Sequence, residues 1–279
     1  MVCNRFTPAL DVSDFIREYV LLHVWFSDTA NIPVKSYPVN PGEGVIFLIK
    51  GSLHAESPDL GTMHKRPPVF VYGVPSSRQN LFISQEYLML KIRLQSGALF
   101  KLTGIPMTEL VHNYVDAELI LGKEISVVYQ QLQEATDYQN MIRIVENYLR
   151  NKISKLKTNE HPFDKIGTLI LSDPQGFSLK KTAGEACLSY RQFERKFLQQ
   201  IGIPAKHFSR ICRFIHAYEL KDTKPNLDWL SVAVRTGYSN YQHLVKDFKQ
   251  FAGTTPTIFI EKCKENPERI LKISNNFVL

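Results

Sequence analysis

The chain has 279 residues, 44% of them hydrophobic and 22% charged, with a net charge of +7; this is long enough for two cores and too apolar for a disordered chain. No apolar run approaches the roughly 18 residues of a membrane span, and the start MVCNRFTPALD has neither the basic nor the apolar region of a secretion signal, so a cytoplasmic location is expected. Cys3, Cys187, Cys212 and Cys263 form no C-x-x-C pair or Cys/His cluster, which argues against a disulfide framework or a zinc site.

From Val20 to Leu94 the chain reads as short strands. YVLLHVWF, GVIFLIKG, VFVYGV and EYLMLKIRL are β-branched and aromatic runs, separated by the turn-rich NPGEG, SPDLGT and KRPP. Helical patterns follow at 98–102, 107–112, 123–134 and 137–152. A β-sandwich or barrel-like domain followed by helices is predicted, with the polar KLKTNEHP (155–162) as linker. His23, His54 and His64 have no H-x-H partner, so neither a metal nor a cofactor is expected.

Beyond Phe163 no strand pattern appears. Helices are predicted at 163–172, 179–187, 190–201, 205–221, 227–236, 241–252 and 256–265, a compact all-α domain that makes the whole an α+β chain. Residues 1–160 carry 16 basic and 16 acidic side chains, whereas 161–279 carry 18 and 11, so the entire excess of +7 lies in the C-terminal part. That segregation points to an anionic partner of the helical domain.

The helical part repeats itself. Ala183, Cys187, Phe193, Phe197, Gly202 and Pro204 return, about fifty residues on, as Ala233, Gly237, Leu244, Phe248, Gly253 and Pro256. Each copy has the form of a helix-turn-helix, in which a small Ala lets the second helix cross close over the first. Ser189, with Gln192 three residues later, and Asn240 or Ser239 are placed to cap the second helices.

Phe193 and Phe197 share a face and must be buried, so residues two positions away, rotated by about 200°, look outward: Arg191 and Arg195 in one copy, Gln242 and Lys246 in the other. Arg bridges guanine and Gln adenine in the major groove. Tyr190, Glu194 and Tyr241 flank those faces. The connecting segment PAKHFSRICRFIHAYEL predicts a helix of about 26 Å, a rod of the length needed to hold two recognition helices about one DNA turn, 34 Å, apart. Arg210 and Arg213 on it either contact phosphate or pair with acids such as Glu219.

Residues 179–259, and above all AVRTGYSNYQHLVKDFKQFAGTTPTIF, resemble the DNA-binding domain of the AraC/XylS family of bacterial transcription regulators. The resemblance implies two helix-turn-helix motifs joined by one helix, with residues 158–279 as the DNA-binding domain. It implies that Tyr190, Arg191, Glu194 and Arg195 face bases in one groove and Tyr241, Gln242 and Lys246 in the next, while Ser189, Lys196, Arg235, Asn240, His243 and Lys249 lie along the phosphates. Two positions depart from the pattern: Cys187 stands where the first turn often has Gly, and Val234-Arg235-Thr236 replaces a more apolar stretch.

The first half resembles, through RLQSGALFKLTGIPMTEL (93–110), the N-terminal domain of some AraC-like regulators. Residues 1–157 are then an effector-sensing or dimerisation domain, and His23, Trp25, Tyr37 and Tyr72 are candidates to line a pocket in its β part. Double-stranded DNA is the expected partner, with a small-molecule effector and RNA polymerase as further ones and a monomer or homodimer as the assembly; no membrane is involved. An architectural DNA binder without an effector is the alternative. A second alternative, an enzyme hidden in the first half, finds no G-x-S-x-G, Walker loop, H-E-x-x-H or acid pair to support it.

Overall fold

A computed structural model of the chain describes residues 1–28, 31–75, 77–111, 114–156 and 161–273. The expected linker and domain boundary fall largely on residues 157–160, and the end of the 107–112 helix on residue 112, all outside the described residues.

Among the described residues, ten strands form two antiparallel sheets. They are β1 (Val2–Phe6), β2 (Ile16–Trp25), β3 (Lys35–Tyr37), β4 (Gly44–Lys50), β5 (Leu53–Ser57), β6 (Thr62–Lys65), β7 (Val69–Tyr72), β8 (Gln79–Ile83), β9 (Glu86–Leu94) and β10 (Tyr114–Asp116). The large sheet has the order β1-β2-β9-β4-β7-β10 and the small one β3-β8-β5-β6. The four predicted strands are β2, β4, β7 and β9, the interior of the large sheet, where both faces are covered and the apolar run is unbroken. On β9, Leu88, Leu90, Ile92 and Leu94 meet a helical layer, whereas Tyr87 and Met89 enter the space between the sheets. That layer is α1 (Ala98–Thr103), α2 (Ala117–Leu121), α3 (Glu124–Glu134) and α4 (Tyr138–Ile153). The helix expected at 107–112 is a single 3-10 turn, Met107–Glu109, and α2 was not predicted.

Eight further α-helices follow among the described residues: α5 (Ile166–Ser172), α6 (Leu179–Glu185), α7 (Tyr190–Ile201), α8 (Ala205–Thr223), α9 (Trp229–Arg235), α10 (Tyr241–Ala252), α11 (Pro256–Lys264) and the unpredicted α12 (Pro267–Ile270). Their core is aromatic: Phe193 and Phe197 stack at 5.9 Å, Phe197 meets Phe208 of α8 at 5.6 Å, and Phe248 meets Phe214 of α8 at 4.8 Å. Val39, Val74 and Val111 of the first half belong to this same core. Traffic also runs the other way, since Leu271 and Ile273 pack against the core between the two sheets.

The two hairpins match in backbone detail. Leu188 N–H donates to the Ala183 carbonyl at 3.0 Å and Tyr238 N–H to Ala233 at 2.9 Å. Both turns need a left-handed residue, Cys187 with φ 54° and Gly237 with φ 76°. A side chain at positive φ costs on the order of 1 kcal/mol, and the exposed Cys187 has little packing to offset it.

Glu43 is buried just before β4, where its Oε1 accepts the Leu99 N–H at 2.9 Å and so holds the start of α1. Burial raises its carboxyl to about 7, against the opposing pull of the Leu99, Gly97 and Ala98 amides. A folded-state value above the unfolded one means that the folded chain holds an extra proton between the two, so this group's contribution falls as pH rises through that window.

Two outcomes follow for stability. In urea unfolding at pH 5 and pH 8, Glu43→Gln should gain on the wild type as pH rises, by on the order of 3 kcal/mol; parallel curves would show that Glu43 does not titrate in this window. Cys187→Gly should stabilise by about 1 kcal/mol while Gly237→Ala destabilises, as read from melting temperatures.

Candidate nucleic-acid interface

The second helix of each hairpin is α7 or α10, and each is started by a cap read from the sequence. Ser189 accepts the Gln192 N–H at 3.4 Å, and the Gln192 side chain returns to the Ser189 N–H at 3.0 Å, a capping box. Asn240 accepts the His243 N–H at 3.0 Å and is the cap of α10, while Ser239 contacts the His243 ring at 2.6 Å. The cap oxygens of Ser189 and Asn240 are thus occupied by the protein's own backbone.

Inside and outside separate as helical geometry requires. Phe193, Phe197, Leu244 and Phe248 are at most 1% exposed. On the opposite faces Tyr190, Arg191 and Arg195 of α7 and Gln242, His243, Lys246 and Lys249 of α10 are exposed, as is Arg235 at the end of α9. Three predicted residues sit lower. Glu194 and Lys196 are half-buried, the Lys196 ammonium lying 5.7 Å from the Phe163 ring centre. Tyr241 is half-buried against the helical core, unlike its counterpart Tyr190, which is 62% exposed.

The connecting helix α8 has 19 residues, about 28 Å at 1.5 Å each. Arg210 and Arg213 on it find an acid other than Glu219. Arg210 donates to Asp247 of α10 at 2.5 Å and to Gln250 at 2.7 Å; Arg213 lies 3.9 Å from Asp247 and donates to the Gly237 carbonyl at 3.3 Å. Asp247 is only 3% exposed and also accepts the Tyr238 hydroxyl at 3.1 Å. Burial and this carboxylate hold the Tyr238 hydroxyl above its ordinary range, which keeps it a donor. A carboxylate shared by two guanidiniums and a phenol fixes α10 and its turn to α8. Asp247 was not singled out from the sequence, although its place between Leu244, Phe248 and Phe251 on the inward stripe is a legible signal. Arg210, Arg213, His243 and Lys246 surround a polar cleft of about 230 Å³ beside α10.

Residues of the first half meet the C-terminal ends of both helices. A Cβ on Gly202, which ends α7, would stand 2.8 Å from the Met107 carbonyl oxygen, and one on Gly253, which ends α10, would overlap the Arg78 guanidinium. The Val39 N–H donates to the Phe251 carbonyl at 3.0 Å.

The β part contains a cavity of about 60 Å³ between the sheets. Tyr37 and Tyr72 line it, as read from the sequence; His23 and Trp25 do not. Alternation on β2 explains the difference: Leu22 and Val24 point between the sheets, so His23 and Trp25 take the other face. There the His23 ring contacts the Tyr138 hydroxyl at 2.9 Å, and Trp25 is 58% exposed. Lys91, Arg66, Lys35 and Glu268, which also line the cavity, were missed. Lys91 is visible in retrospect as a cation on the inward face of an apolar strand.

Residues 182–262 match the family model of a helix-turn-helix domain, and residues 4–116 match that of a domain of unknown function (DUF6597). No curated protein matches the chain in sequence. Among solved structures, an apo variant of ToxT from Vibrio cholerae is 14% identical, with 88% of this chain and 97% of that chain covered at a TM-score of 0.49. ToxT bound to an unsaturated fatty acid is 15% identical, with 87% and 94% covered at 0.48. The DNA-binding domain of AdpA in complex with a target DNA is 22% identical, with 38% and 95% covered at 0.35. Residues 182–262 are thus a helix-turn-helix domain of the AraC type.

Proposed function

We propose that the protein reads two successive major grooves of DNA, one with α7 and one with α10, and that its N-terminal domain (1–157) controls the DNA-binding domain (158–279) by taking up a small molecule or by dimerising. The observation that carries this reading is the duplicated hairpin, which in both copies turns an exposed, cation-bearing helix face away from a fully buried aromatic face.

In this reading Arg191 and Arg195, flanked by Tyr190 and Glu194, meet base edges in the first groove, and Gln242 and Lys246, flanked by Tyr241, do so in the second. Lys249, Arg235 and His243 lie along phosphates, with Lys196 and the backbone N–H groups at the Ser189 and Asn240 caps as further contacts. The half-buried setting of Glu194 and Tyr241 supports contacts at the groove edge rather than deep base contacts for these two. RNA polymerase is the partner through which such a protein acts on transcription. The cavity lined by Tyr37 and Tyr72 supports a small-molecule effector over the purely architectural reading.

Selection of binding sites from random DNA should return an asymmetric site covering about two turns, with an affinity that falls steeply with salt. On that site Arg195→Ala should relax the preference at one position, at a cost of about 1–3 kcal/mol. Lys249→Ala should weaken all sequences alike and lower the salt slope by about one. Equal losses for Arg195→Ala on every sequence would remove α7 from the bases.

A further inference from the structure

The polar cleft beside α10 is unevenly charged. Its wall is Arg210 and Arg213 of α8, its floor is Tyr238 and the buried Asp247, and its rim is Ser239, His243 and Lys246, all three exposed. Three permanent cations thus surround one carboxylate, and they share it unequally. Arg210 is fully engaged, by Asp247 Oδ1 at 2.5 Å, by Gln250 Oε1 at 2.7 Å and by the Phe251 ring, whose centre lies 5.4 Å away. Arg213 comes no closer than 3.9 Å to Asp247. Neutral groups aim it instead, since it lies 4.4 Å over the Tyr238 ring and donates to the Gly237 carbonyl at 3.3 Å. Among the described residues Lys246 has no ion-pair partner.

The hairpin itself does not require an acid at this position. In the repeat Lys196 of α7 stands where Asp247 stands in α10, and the first hairpin closes over its own buried anchors all the same. A buried ion pair is also weak support for a fold, because desolvation offsets most of its attraction. The effect of Asp247 is to engage one guanidinium and to leave the other fixed but under-paired. The rim beside it belongs to the face that the groove reading turns to DNA. There the Ser239 hydroxyl lies 2.6 Å from His243 Nδ1, and a hydroxyl that donates to Nδ1 leaves the ring proton on Nε2 as a further donor. A forked guanidinium, an imidazole N–H and an ammonium around one open cleft match the oxygens of a phosphate group. The volume of about 230 Å³ holds such a group with a few waters, each water taking about 30 Å³.

We propose that this cleft seats one phosphate of the DNA backbone, with Arg213 and His243 as its contacts, Lys246 adding positive potential at the rim, and Asp247 as the positioning residue that holds Arg210 back. This rests on the groove reading of α10 and adds to it a contact from the connecting helix. In this arrangement α8 does more than space α7 and α10, because it also grips the strand beside α10. Of the two arginines on α8, one serves the fold and the other serves the ligand.

The test uses the full chain and the DNA site selected for it, with each phosphate of the second half-site replaced in turn by a neutral methylphosphonate. One replacement should cost the wild type several-fold in affinity and cost Arg213→Gln nothing further. Arg213→Gln should also bind every sequence more weakly, with the slope of log affinity against log salt lowered by about one. Asp247→Asn keeps the shape but frees Arg210 from its counter-charge, so it should bind all sequences more tightly with a steeper slope. Asp247→Asn with Arg210→Gln removes the pair together and should return to the wild-type slope; weaker binding at an unchanged slope in Asp247→Asn would make the acid purely structural. If Arg213→Gln does not fold, the exposed His243→Gln takes its place and should lose part of the dependence on the same phosphate. Inorganic phosphate titrated into the DNA-free chain at constant ionic strength should show no saturable binding at millimolar concentration. Saturable binding that Arg213→Gln abolishes would give the cleft to a free anion and overturn the proposal. So would equal losses by wild type and Arg213→Gln at every methylphosphonate, or a salt slope that Arg213→Gln leaves unchanged. The base preference of Gln242→Ala is scored separately: an altered preference beside a flat phosphate scan removes the seat alone, whereas a selected site with no second half removes the groove reading of α10 and the seat with it.

Discussion

The constraint on which the rest depends is the aromatic core that seats the second helix of each hairpin, α7 and α10, on α8. Phe197 packs on Phe208 near the start of α8, and Phe248 on Phe214 a turn and a half further along. Neither second helix has a hydrophobic face of its own that closes without this shared rod, since Phe193, Phe197, Leu244 and Phe248 are all fully inside it. The distance between the two outward faces is thereby set by side-chain packing, which resists displacement more strongly than a loop does. Asp247 adds direction to this packing, because its two guanidinium partners fix the rotation of α10 about its axis.

The first half of the chain is part of the same constraint. Val39, Val74 and Val111 enter the helical core, Gly202 and Gly253 close α7 and α10 against Met107 and Arg78, and Leu271 and Ile273 pack in turn inside the β part. Contacts at both helix ends mean that a change in the β domain has two places at which to alter the spacing of α7 and α10. The buried Lys35–Glu268 pair lies on the boundary between cavity and tail, so the chemistry of the pocket and the mechanics of the interface share one ion pair.

Much of this was legible in the chain because helical repeats with buried aromatic anchors announce themselves. The caps, the Ala crossings and the positive-φ turn at Cys187 all follow from local rules, and each appears in the structure. What escaped were features set by distant neighbours. β6 is exposed along its whole length and carries no apolar run to betray it, while β8 is half-buried throughout and offers just the short Leu81-Phe82-Ile83 run. His23 and Trp25 were placed with Tyr37 and Tyr72 because sequence shows that an aromatic residue is in a strand without showing which face the pairing will give it. Asp247 and Lys91 stood in view as charges on apolar stripes, but Arg210 and Tyr37, with which they pair, lie 37 and 54 positions away in the chain.

The central claim is that the two reading faces are held rigidly at one spacing, and DNA itself is the ruler. Once a site is in hand, insertion of about five base pairs between its two halves turns them to opposite faces of the duplex, since a turn is about ten base pairs. A rigid pair of heads predicts that affinity for the lengthened site falls to that of a single half. Undiminished binding to it would contradict the account, because the heads would then move independently.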